Sequence, residues 1–164
     1  MSEVDKDPFD ESSWGNLRFT DAVRELIGKA KNAMVELADC FAVESPDSPR
    51  LEFKADGELP SIGQFVTPLG SAEVRLSLKF FAAQEGGDPD DFACNIRVFV
   101  PDVAANGQRS REVDWHVELA QYGAAVVHSG SSHRLLSGNL NTSRLRNNRY
   151  QAGMALYRAI AEKI

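Results

Sequence analysis

Val74, Leu76, Leu78 and Phe80 alternate with Arg75, Ser77, Lys79 and Phe81. A period of two is that of an extended strand, whose successive side chains leave on opposite faces. The charged, glycine-containing stretch Gln84-Glu85-Gly86-Gly87-Asp88-Pro89-Asp90-Asp91 follows and reads as a turn. Phe92 to Val100 then returns and stops at Pro101, which makes a hairpin with an acidic tip. Strands this close in sequence pair antiparallel, because a parallel crossover needs roughly a dozen residues or more. A chain built around this hairpin is therefore constrained to an antiparallel sheet.

Other segments extend the sheet. Leu51 to Ala55 alternates at period two, Asp56-Gly57 reads as a turn, and Ser61 to Thr67 is a second short strand stopped by Pro68 and Gly70. Val113, Trp115, Val117 and Leu119 alternate with Asp114, His116, Glu118 and Ala120, although Ser110 could also cap a helix over 111–122. Ala124 to His128 returns after a turn at Gln121-Tyr122-Gly123, a spacing that suits a three-residue hairpin loop. Residues 129–141, rich in Ser, Gly and Asn, read as loop.

Two helices flank these strands. From Thr20 as N-cap, Val23, Leu26, Ile27, Ala30, Met34, Leu37, Ala38 and Phe41 recur on one face, opposite Arg24, Glu25, Lys29, Lys31, Asn32, Glu36 and Asp39. Ser45-Pro46-Asp47-Ser48-Pro49 ends this helix. The second helix is capped by Thr142 or Asn141 and runs to Ile164. The fold class is α+β: a mostly antiparallel sheet of five to six strands flanked by an N-terminal and a C-terminal helix, in two layers. Residues 1–16 are acidic and read as a flexible arm, followed by one α+β domain over 17–164. A chain of 164 residues buries roughly two thirds of its unfolded surface, enough for one core.

Charge is unevenly distributed. Residues 121–164 hold six bases and one acid, whereas the first sixty residues carry a net charge of −7. The overall charge of −6 argues against generalised nucleic-acid or membrane binding, but a local basic patch could still take an anion. No apolar run is long enough to span a bilayer and the start is acidic, so the sequence predicts a cytoplasmic protein with no membrane partner. Cys40 and Cys94 form no CxxC or Cys/His cluster and read as small buried hydrophobes. No cofactor is expected.

The basic end yields one candidate site. Ser129-Gly130-Ser131-Ser132-His133-Arg134 and Ser137-Gly138-Asn139 precede a helix start, with Arg144, Arg146 and Arg149 beyond it. Small residues let backbone N–H groups converge, a helix start offers free donors, and arginines add forked ones. His133, Arg134, Arg144, Arg146 and Arg149 thus form an anion-binding candidate for a nucleotide, a phosphorylated ligand or single-stranded nucleic acid. It is neither a Walker loop nor a dinucleotide fingerprint. At about 100° per residue, Arg149 falls within the apolar stripe of Leu145, Ala152, Leu156 and Ile160, Arg146 lies at its edge, and Arg144 and Arg158 point away. A core-facing arginine needs a partner, and an acid on the first helix or the sheet is the expected one.

A second candidate uses histidines. The Gln121-Tyr122-Gly123 hairpin pairs Glu118 with Val126 and His116 with His128. Two cross-strand imidazoles, with Glu118 and Asp114 on the same face, could hold a metal or transfer protons, although an ordinary solvated sheet face has the same composition. No intact motif identifies a catalytic residue: GxSxG is absent around Ser131, and Asp88, Asp90 and Asp91 lack an EF-hand pattern.

The function expected is that of a non-enzymatic protein-interaction module, a small acidic adaptor or chaperone-like protein that binds a protein partner or self-associates as a dimer. Phe9 and Trp14 in the acidic arm are candidate docking residues. Phe81 enters the polar register and Val98 to Val100 is apolar at three successive positions, which predicts apolar surface on both sheet faces. The alternatives are the anion-binding module and a small hydrolase or metal enzyme using the histidine pair.

Overall fold

The computed structural model describes residues 11–41, 50–56, 58–80, 92–102, 109–120, 124–137 and 141–164, with side chains from Thr20 onward apart from that of Phe80. Helix α1 spans Glu11–Asp39. Seven strands follow: β1 (Glu52–Lys54), β2 (Ser61–Thr67), β3 (Gly70–Phe80), β4 (Phe92–Asp102), β5 (Arg109–Ala120), β6 (Ala125–Ser129) and β7 (Ser132–Leu135). Helix α2, Thr142–Lys163, ends the fold. The strands lie in sequence order, each antiparallel to the next.

The sheet has seven strands, where five to six are expected from sequence. The added strand is β7, in the segment read as loop. Four residues with no apolar alternation carry little strand signal, and it is the turn that makes this segment pair. Ser129 pairs with Ser132 around Gly130-Ser131, and Gly130 adopts φ 58°, the left-handed region open to glycine. Residues 109–120 are strand, as their alternation predicts. Helix α1 begins at Glu11 rather than at Thr20 and so includes Trp14, whose side chain lies outside the described ones, while Phe9, Phe81 and the 121–123 turn lie outside the described residues.

Period-two alternation places Val74, Leu76, Ile96, Val98, Val113, Trp115, Val117, Leu119 and Val127 on one face, where all are buried. Both helices cover that face: α1 against β1 and β2, α2 against β5, β6 and β7, with the helices touching each other. The apolar stripe of α1 (Leu26, Ala30, Met34, Leu37), Phe41 just beyond its end, and the stripe of α2 (Ala152, Leu156, Ile160) complete a single core cluster. Trp115 is at its centre. Its indole packs edge-on to Phe65 with centroids 6.4 Å apart, and Nε1 donates to the Ala152 carbonyl at 3.1 Å, tying α2 to β5.

Among the described residues the opposite face is largely polar and charged, which corrects the part of the expectation that rests on Val98 to Val100. Phe99 is its main aromatic, and it lies under Arg75, whose guanidinium stands 4.3 Å from the ring centroid while also bonding both Glu73 carboxylate oxygens at 3.0 Å. Arg97 pairs with Glu112. Valines 98 and 100 turn into the core.

Both cysteines are free. Burial in the core pushes the Cys94 thiol up to about 12, so it stays protonated at any ordinary pH. Cys40 is half-buried, and desolvation raises its thiol too, opposed by the charges of Arg149 and Arg146. Maleimide labelling of the folded chain, followed by peptide mapping, is expected to mark Cys40 and to leave Cys94 unmodified until denaturant is added.

Candidate functional site

The basic segment divides into a structural part and an exposed groove. Asn141 caps α2, its side chain accepting from the Arg144 N–H at 2.8 Å. Arg149 Nη2 bonds Glu36 on α1 at 2.9 Å and its Nε donates to the Leu136 carbonyl at 3.2 Å. This is the partner that the helical wheel requires for Arg149, and it joins the basic end of the chain to the acidic one. Tyr150 stacks on Phe41 beside it, centroids 5.1 Å apart. Arg144 and Arg146 are exposed. Of the five residues grouped as an anion site, Arg149 therefore ties the two helices together, and His133 and Arg134 border a cavity.

That cavity holds about 400 Å³ between the β6–β7 hairpin and α2, lined by Val127, Ser129, Ser132, His133, Arg134, Tyr150, Gln151, Ala152, Met154, Ala155 and Arg158. Strand pairing fixes the strand side. Arg134 sits opposite Val127 and Ser132 opposite Ser129, so both turn toward the helices. Helical spacing fixes the other wall, since residues 151, 155 and 158 follow one another at three- and four-residue steps. The floor is apolar, the rim carries two guanidiniums, and no acid lines it. Among the described residues neither Arg134 nor Arg158 forms an ion pair. Arg158 points away from the apolar stripe, and its sequence position gives no sign that it joins the site. Its role depends on β7, which brings a second wall to that flank of α2.

The groove lies next to a sheet edge. The Leu136 N–H donates to the Ala125 carbonyl at 2.7 Å and the Ala125 N–H to Ser137 Oγ at 2.9 Å, so Ala125 and Leu136 stand at a hydrogen-bonding position of the ladder. Bonded and non-bonded pairs alternate in an antiparallel ladder. Arg134 and Ser132 therefore bond back to β6, while His133 and Leu135 turn their N–H and C=O groups outward. The Leu135 carbonyl accepts from Asn148 Nδ2 at 3.0 Å, in keeping with that direction. No described residue pairs with the outer edge of β7.

The histidine pair forms as the alternation predicts: His116 faces His128 and Glu118 faces Val126. The imidazoles stack with centroids 4.8 Å apart and planes 12° from parallel, on the sheet face away from the helices. Glu118, two residues from His116, shares that face, with carboxylate oxygens 3.9 Å from His116 Nε2 and 3.7 Å from His128 Nε2. Burial, His128 and the Arg97 guanidinium push the His116 imidazole below its ordinary value, against the opposing pull of Glu118 and Glu112. Neutral imidazole is the form that ligates metals and accepts protons. Asp114 is not part of the cluster.

Among the described residues no helix is long and apolar enough to cross a membrane. The chain matches no protein-family model, no curated protein and no solved structure, so geometry alone carries the reading of function.

Proposed function

We propose that the chain is a non-enzymatic protein-interaction module of adaptor or chaperone-like type, which takes an extended, acidic segment of a partner protein along β7. The observation that carries this reading is the outer edge of β7, which among the described residues pairs with no strand and has only its Leu135 carbonyl taken, by Asn148, beside a groove with an apolar floor and two arginines that form no ion pair among the described residues. An added strand would gain main-chain hydrogen bonds from His133 and Leu135, and alternate side chains would enter the groove. Apolar side chains would meet Val127, Ala152, Met154 and Ala155, and a carboxylate would meet Arg134 and Arg158.

The competing occupant is a small phosphorylated ligand, because a cavity of this size and charge could also hold one. The sheet edge favours the peptide, since a small anion makes no use of it. Selecting a random peptide library on the immobilised chain tests both readings. Peptides enriched in acids next to large apolar residues are expected, and Arg134→Glu with Arg158→Glu should weaken their binding about tenfold or more. Peptides that bind this double variant equally well, or displacement by ATP at concentrations that leave a salt control bound, would defeat the reading.

A further inference from the structure

On the sheet face opposite the groove, the side chains of His116, Glu118 and His128 lie together. Each offers one ligand atom, and all three atoms lie within 4.8 Å of one another. The sheet enforces this closeness. His116 and Glu118 are two apart on β5, hence on one face, and His128 is the direct cross-strand partner of His116. Ligands at about 2.0–2.1 Å from a tetrahedral ion stand about 3.3 Å apart. The nitrogen–oxygen separations are 3.9 and 3.7 Å, to different oxygens of Glu118, so binding an ion requires the two stacked rings to turn about their side-chain bonds until both nitrogens face the carboxylate.

A second observation points to a missing partner. His128 Nε2 is screened from solvent and has no hydrogen-bond partner among the described residues. Its nearest carboxylate oxygen, at 3.7 Å, is beyond hydrogen-bonding distance. Arg97, across the ladder from His116, brings positive charge beside the site; its pair with Glu112 and the Glu118 carboxylate at the centre offset that charge.

We infer that His116, Glu118 and His128 form a binding site for a divalent transition-metal ion. Two imidazoles and one carboxylate are a three-ligand set suited to zinc, with a fourth position left to solvent or a further donor. The His133 ring, on β7 opposite His128, stands 6.1 Å from the His128 ring. The ion would cross-link β5 and β6, and the site does not depend on the peptide groove.

The test uses the full chain, free of any histidine tag. Calorimetric titration with zinc chloride is expected to show one ion per chain, and titration with cobalt(II) the visible absorption of a tetrahedral nitrogen–oxygen site. His116→Ala and His128→Ala should each weaken zinc binding tenfold or more. Glu118→Gln, at an exposed position where the fold is not at stake, should weaken it measurably. In the unsubstituted chain zinc should shift the imidazole NMR signals of both histidines together, a readout that needs no variant. Absence of saturable binding, or equal binding by Glu118→Gln and the histidine variants, would overturn the site.

Discussion

Replacing Trp115 with alanine is expected to lower the free energy of unfolding by about 3–5 kcal/mol, the cost of emptying the largest space in a well-packed core. The indole is 1% exposed and packs within the one cluster shared by the sheet and both helices. Its removal forfeits the edge-on contact with Phe65 and the bond from Nε1 to the Ala152 carbonyl. A domain of this size has only about 5–15 kcal/mol of stability in all. Chemical denaturation should therefore place Trp115→Ala near the limit of folding at room temperature. Trp115→Phe keeps most of the apolar volume but loses the bond to α2, and should cost less than half as much. Equal losses from the two variants would mean that the hydrogen bond, rather than packing, sets the contribution of Trp115.

Gly153→Leu is the second large loss expected, of at least about 2 kcal/mol, for the opposite reason. Gly153 lies on the buried face of α2, where a Cβ would overlap the edge of the Phe41 ring. That ring is buried and stacked on Tyr150, so it has little room to retreat. Glycine in a helix interior costs about 1 kcal/mol relative to alanine, and this site accepts that cost to let the end of α1 approach α2 closely. Gly153→Ala sets the two effects against each other and should be neutral to destabilising. A clear gain in melting temperature for Gly153→Ala would mean that Phe41 does not occupy the position described.

The same packing explains which parts of the molecule the sequence reveals. Val74–Lys79, Asn95–Val100 and Val113–Ala120 alternate between more and less buried residues, so alternation alone marks them as strands. The His116–His128 register follows from it as well, because a slip of one residue would turn Val117 and Val127 out of the core. Arg149 is equally legible, since its place in an apolar stripe demands an acid, and Glu36 supplies one. Strand β7 is not legible. All four of its residues are exposed, so no burial pattern betrays it, and its pairing comes from a turn and from contacts with α2. Because the groove is built on β7, Arg158 and the α2 wall are hidden along with it. The outer face misleads for a related reason: Phe99 looks like exposed apolar surface until Arg75, from the neighbouring strand, is seen to cover it.

The most direct test of the peptide groove is amide hydrogen exchange on the chain with and without a selected acidic peptide. Added protection should be greatest at His133 and Leu135, whose N–H groups face the open edge of β7, with a smaller gain along residues 150–158 of α2. Protection centred on the charged outer face of β3–β5, or none at β7 with the peptide bound, would contradict the proposal.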